Sequence, residues 1–298
     1  MKKHFEDFNF RAGTLDRIDQ ANAIISEYQL AGYTLTLRQL YYQFVVRALI
    51  PNSQREYKKL GKTLSNARLA GLVDWDSIED RTRNVRANTH FDGVSDILKT
   101  ASKTYRLDLW EDQPYAIEVW IEKEALIGVI DSVCRELDVP YFACRGYVSQ
   151  SEQWRAGQRA LVRWLDTEQK TIILHLGDHD PSGVDMTRDN RDRLDMFSDY
   201  SDCVEVKRIA LNWDQIEAYQ PPPNPAKTTD TRSRQYISRY GNDSWELDAL
   251  EPRIIDKLIR DYVREYRHGD KFSERLALQE EHRVQLMDVA NSFEGASE

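Results

Sequence analysis

The stretch TIILHLGDHDPSGVDM, Thr171 to Met186, decides how this chain of 298 residues is read. Its first six residues form a short, mostly apolar run of the kind that makes a strand buried on both faces. Gly177, Pro181 and Gly183 then punctuate a loop, and the residues from Pro181 onward read as a helix. The same alternation extends in both directions. YAIEVWIE leads into the helical KEALIGVIDSVCREL, VPYFACRG into a helix through Trp154, Leu161, Trp164 and Leu165, and CVEVKRIAL closes the series. Strand and helix in alternation predict an α/β fold with a mainly parallel sheet covered by helices. PPPNPAKTTDTRSRQ reads as an extended excursion, and the last 45 or so residues read as helices with Ile255, Leu258, Ile259 and Tyr262 on one face.

The first 70 residues follow a different pattern. Apolar residues at helical spacing mark three segments: Ile18 to Tyr28, Leu37 to Ala48, and Tyr57 to Ala67, separated by links carrying Gly32 and Pro51. GLVDWDSIEDR, Gly71 to Arg81, alternates like a short hairpin. Three helices and a hairpin give a winged-helix outline whose third helix would enter a DNA groove. The second helix contains LRQLYYQF, with Tyr41 in its apolar stripe and Tyr42 about 100° further round, over Arg38 four residues earlier. That register predicts a Tyr42 turned away from the core.

The chain carries a net charge of -9, unevenly spread. Residues 1 to 110 hold 17 Lys and Arg against 13 Asp and Glu. Between residues 38 and 68, Arg38, Arg47, Arg55, Lys58, Lys59, Lys62 and Arg68 face Glu56 alone. A basic segment in an otherwise acidic protein predicts a phosphate-backbone footprint, with Arg38, Arg55, Lys58, Lys59, Lys62 and Arg68 as DNA contacts. No apolar run approaches the roughly 18 residues of a membrane span, and MKKHFEDFNF does not resemble a secretion signal. Cys134, Cys144 and Cys203 are odd in number and lack a C-x-x-C pair, which suggests neither a disulfide framework nor zinc and fits a cytoplasmic setting.

Ligands of parallel sheets sit at the carboxyl ends of the strands. Glu122 stands at the end of the first strand, with Asp178 and Asp180 just after the third. Carboxylates gathered at one edge repel one another unless a cation neutralises them. An all-oxygen set suits magnesium, a hard ion that completes its shell with water and phosphate. An aspartate before Pro181 would also cap the helix that begins there, although a cap needs only one. Lys123 and Glu124 read as first-turn helix residues, Gly146 and Asp185 as possible lining, and WELDALEP, Trp245 to Pro252, as a structural corner.

IEVWIEKEAL is similar to the glutamate motif of Toprim domains in the form seen in the topoisomerase VI A subunit and its meiotic double-strand-break relative. LGDHDPSGVDM resembles the D-x-D-P-x-G motif of that family, and TLRQLYY its R-x-x-Y-Y. The three occur in the family's order, and the compact chain most resembles the stand-alone "mini-A" forms. The resemblance implies a winged-helix domain over 1–110 joined to a Toprim domain with a helical extension over 111–298. It also implies magnesium-dependent double-strand DNA cleavage by tyrosine transesterification, of the type IIB topoisomerase kind, with a covalent protein–DNA link. Carried over by position, Tyr42 is the nucleophile, Arg38 its transition-state partner, and Glu122, Asp178 and Asp180 the magnesium site, with Glu122 also among the catalytic residues. A homodimer in which the tyrosine of one protomer meets the metal site of the other is implied too, acting on nucleoid DNA.

No G-x-x-x-x-G-K-[ST] phosphate loop occurs, so ATP-driven strand passage would need a separate ATPase B-type subunit. Two other readings remain open. One is a hydrolytic Toprim nuclease that leaves Tyr42 idle, and the other is a catalytically silent DNA-binding module.

Overall fold

The computed structural model describes residues 1–78, 88–225 and 232–294. Three helices open the chain: α1 (Ala12–Leu30), α2 (Leu37–Val46) and α3 (Gln54–Leu69). Helix α2 begins with a capping box, Thr36 Oγ1 accepting from the Gln39 amide while Gln39 Oε1 accepts from the Thr36 amide. The Ser53 side chain caps α3 at the Glu56 amide. Their facing stripes close over one core that includes Ile18, Ile24, Leu40, Phe44, Leu60 and Leu64.

The hairpin expected over 71–81 is not formed in its described part. Asp74 instead starts a 3-10 turn at Trp75–Ser77, accepting from the Asp76 amide and pairing with the terminal ammonium of Met1. Phe5 and Glu6 lie alongside, both donating to the Leu69 carbonyl. Residues 79–81 of the expected hairpin lie outside the described residues.

Helix α4 (Val94–Thr104) leads to a four-stranded sheet. In chain order come β1 (Tyr115–Ile121), α5 (Ile127–Glu136), β2 (Tyr141–Ala143), α6 (Gln150–Thr167), β3 (Lys170–Leu176), α7 (Pro181–Phe197) and β4 (Val204–Ala210). The sheet order is β2-β1-β3-β4, and every pairing is parallel. Val119 pairs with Leu174 and Ile121 with Leu176, so β1 and β3 end side by side. This is the α/β architecture expected from the alternation of the sequence. Strands β1 and β3 are buried almost throughout, as strands covered on both faces must be.

After α8 (Trp213–Tyr219), the pair β5 (Asn224–Pro225) and β6 (Asp243–Ser244) brackets α9 (Ser233–Tyr240). Of the excursion expected over 221–235, Asn224–Pro225 form β5 and the last residues enter α9; 226–231 lie outside the described residues. Helices α10 (Pro252–Tyr266) and α11 (Gly269–Glu294) finish the chain. Ile255, Ile259 and Val263 of α10 pack into the core between the sheet and α5. Helix α11 runs along α4, where Ser95 and Ser102 donate to the carbonyls of Ala290 and Arg283. Among the described residues no helix is long and apolar enough to cross a membrane.

Candidate active site

The carboxyl ends of β1 and β3 bring the three predicted carboxylates to one edge. Glu122 continues β1, its amide bonded to the Leu176 carbonyl, and its Oε2 accepts the Asp178 amide at 2.8 Å. Asp180 caps α7, accepting the Gly183 amide at 2.6 Å, with Pro181 at the first helical position. Gly183 is required there, because a Cβ would lie 2.1 Å from the Asp178 carbonyl oxygen and 3.2 Å from Glu122 Oε2. From β4, the Arg208 guanidinium donates to the carbonyls of Gly177, Asp178, Gly183 and Leu211, which fixes the loop from the sheet side.

Asp178 is turned elsewhere. It is 7% exposed, takes the Leu247 amide on Oδ1 at 2.8 Å, and faces the Lys123 ammonium with Oδ2 at 3.1 Å. Lys123 also lies 2.9 Å from Glu246 and 3.0 Å from Asp248. Sequence spacing made Lys123 a first-turn residue and Trp245 to Pro252 a corner, but both belong to the site. The segment reaches it because His179 and Trp245 exchange backbone hydrogen bonds, which lays residues 245–248 across the loop after β3.

The same segment holds the tyrosine helix. Arg38 pairs with Glu246 and places Nε 3.0 Å from Asp248 Oδ2. An unbroken ionic chain therefore runs from Arg38 through Asp248 and Glu246 to Lys123 and Asp178. Tyr42 is 2% exposed, not turned outward as its helical register predicted. Its ring joins the core of α1, α2 and α3 beside Tyr41, with every residue from Gln39 to Phe44 buried, and Asn224 reaches its hydroxyl from far along the chain. A cavity of about 250 Å³ remains, with Arg38, Tyr42, Gln54, Asn224 and Glu246 in its walls.

The electrostatics follow from burial and an unequal count of charges. Burial pushes Asp178 up to about 7, against the pull of Lys123. Burial also raises Glu122, with Asp180 adding to the effect, and raises Asp248. Glu246 resists its own burial and is held down at about 2 by Lys123 and Arg38. Burial, then Asp248 and Glu246, push the Tyr42 phenol up to about 12, opposed by the Asn224 hydrogen bond and Arg38. Three cations, Arg38, Lys123 and Arg208, meet five carboxylates, Glu122, Asp178, Asp180, Glu246 and Asp248.

Among the described residues no group of three or more His, Cys, Asp or Glu side chains is arranged to hold one metal ion. The donor set still fits magnesium in kind. Glu122 and Asp180 each spend one oxygen on a backbone amide, which leaves each a second oxygen of the kind a hard cation takes. The expected third ligand, Asp178, is engaged by Lys123 in this arrangement.

The predicted DNA contacts divide in two. Arg55, Lys58, Lys59 and Lys62 are exposed along α3. Arg68 is not, because its Nη2 donates to the Ile78 carbonyl at 2.6 Å and its guanidinium lies over the Trp75 ring. Of the other positions singled out, Glu124 pairs with Arg145 and Asp185 with Arg188 and Arg232, and Gly146 turns the chain at φ 94°. Scans against protein-family models and against curated proteins return no match for this chain.

Proposed function

We propose that this chain is a magnesium-dependent DNA-cleaving transesterase, a winged-helix domain joined to a Toprim domain, in which Tyr42 attacks a backbone phosphate. The observation that carries the reading is the ionic chain from Arg38, one turn from Tyr42, to Asp178 at the strand edge, through Glu246, Asp248 and Lys123. It links the arginine beside Tyr42 to the carboxylate edge of the sheet. Cleavage of both strands of a duplex then takes two copies, and ATP-driven strand passage would take a separate ATPase subunit.

In the step proposed, the Tyr42 oxygen bonds to phosphorus as its proton passes to water, and the phosphorus–deoxyribose oxygen bond breaks, the departing oxygen taking up a proton from water. Ionising a phenol held at about 12 costs roughly 7 kcal/mol at pH 7. Part of that cost comes from Glu246 and Asp248, whose charges oppose a phenolate. Arg38, whose charge already favours the phenolate, is also the bidentate donor that phosphoryl oxygens prefer. Magnesium held by Glu122 and Asp180 would offset charge on the phosphoryl oxygens.

The test is a denaturing gel of end-labelled duplex DNA after incubation with protein and magnesium. The reading expects protein bound covalently to DNA in the wild type and no adduct with Tyr42→Phe. The burial of Tyr42 favours a second reading, hydrolysis by metal-bound water with the tyrosine idle. Undiminished cutting by Tyr42→Phe would establish that reading in place of the first.

A further inference from the structure

The two adjacent tyrosines are joined by a relay of amides. Tyr41 takes the Ser53 amide on its hydroxyl at 2.7 Å and donates at 2.9 Å to Asn52 Oδ1. Asn52 Nδ2 donates to the Pro223 carbonyl at 2.8 Å and to Asn224 Oδ1 at 3.0 Å. The Pro223 carbonyl can only accept, so it fixes which end of the Asn52 amide is nitrogen. That end in turn requires the oxygen of Asn224 to face Asn52, which leaves the Asn224 Nδ2 aimed at the Tyr42 hydroxyl, 3.3 Å away. The Asn224 backbone is pinned as well, paired with Ser244 in the β5–β6 ladder and taking the Ser244 hydroxyl on its carbonyl.

An N–H aimed at a phenol oxygen favours the ionised form, since a phenolate accepts more strongly than a phenol. We propose that Asn224 is a catalytic residue that donates to the Tyr42 oxygen as it ionises and attacks, with Asn52 and Tyr41 as the positioning residues that aim it. The inference rests on the reading of Tyr42 as nucleophile. It also answers why two tyrosines stand together: one reacts, and the other holds the relay that prepares it. Asn224 lies in the wall of the same cavity as Arg38 and Tyr42, so both donors flank the oxygen that must meet phosphorus.

Two readouts test it. The first is a fluorine NMR pH titration of protein carrying a fluorinated tyrosine, whose more acidic phenol titrates while the protein is folded, with the Tyr42 signal assigned by its loss in Tyr42→Phe. Asn224→Ala should move the Tyr42 midpoint up by about one pH unit, and Asn52→Ala and Tyr41→Phe should move it in the same direction by less. The second is the pH profile of adduct formation, expected to shift upward in parallel with about a tenfold loss at neutral pH. An unchanged Tyr42 midpoint in a folded Asn224→Ala protein overturns the inference; should that variant fail to fold, an unchanged midpoint in both Asn52→Ala and Tyr41→Phe does so. Absence of any wild-type adduct would instead count against the transesterase reading, while the NMR titration still decides whether Asn224 favours the phenolate.

Discussion

Lys123 Nζ lies within 3.1 Å of Asp178 and 3.0 Å of Asp248, so one ammonium from the end of β1 ties the loop after β3 to the segment that grips the tyrosine helix. Removing one partner of a buried ion pair leaves the others uncompensated, typically at 3 to 5 kcal/mol. Lys123→Ala is therefore expected to lower the unfolding free energy by about that much in urea titrations. Adding Asp248→Asn to it should restore part of the loss, because one of the stranded charges is gone. A double variant that is no more stable than the sum of the singles would contradict the shared network.

Acid stability gives a second check. His175 is fully buried, with Nδ1 2.9 Å from Thr187 Oγ1, and burial holds it at about 3. Its pKa is depressed on folding, so the unfolded chain takes a proton below about 6.5 that the folded chain refuses. The contribution is fully present above that pH and shrinks as pH falls toward 3, by about 1.4 kcal/mol per unit. His179, held at about 4 by burial, acts in the same direction. Asp178, raised to about 7, and the raised Glu122 and Asp248 act in the opposite sense, so the check is a difference. In urea unfolding between pH 7 and 4.5, His175→Gln should shift the slope of stability against pH by about one proton toward greater acid tolerance relative to the wild type, whatever its effect on absolute stability.

The basic helix predicts a pattern across variants. Each phosphate contact from Arg55, Lys58, Lys59 or Lys62 adds about -0.9 to the slope of log affinity against log salt. Alanine at any of these four should weaken binding and flatten the slope by about that amount. Arg68→Ala should leave the slope unchanged and lower the melting temperature, since it removes the hydrogen bond to the half-buried carbonyl of Ile78. Fluorescence anisotropy with labelled duplex at several salt concentrations separates the two classes.

Much of the architecture was legible from periodicity. Continuous apolar runs marked β1 and β3, and the acids after them fell at the strand ends because consecutive parallel strands terminate at the same edge. The i, i+3, i+4 spacing of Ile255, Leu258, Ile259 and Tyr262 placed α10 correctly against the core. What the sequence did not disclose depends on contacts between distant residues. A helical register marks one buried face, whereas α2 is buried at every residue from Gln39 to Phe44, and it says nothing of Asn224 reaching the Tyr42 hydroxyl. Lys123 and Trp245 to Pro252 carry no local pattern that distinguishes a site residue from a cap or a corner. Arg68 shows the converse: by its charge it reads as one more surface contact in a basic helix, although its guanidinium is committed to a carbonyl and a ring. The glycine of the D-x-D-P-x-G motif, by contrast, has a purely steric reason, the 2.1 Å that separates a would-be Cβ from the Asp178 oxygen.

Ala249 lies one residue beyond the acidic pair and is 4% exposed, yet its neighbours belong to the core of α1, α2 and α3. The polypeptide thus surrenders a piece of its C-terminal half to the interior of its N-terminal half, like a peg left in the opposite board. Hinge-like separation of the halves would have to extract that methyl group and open the ion pairs beside it in the same movement, so the two halves do not loosen independently.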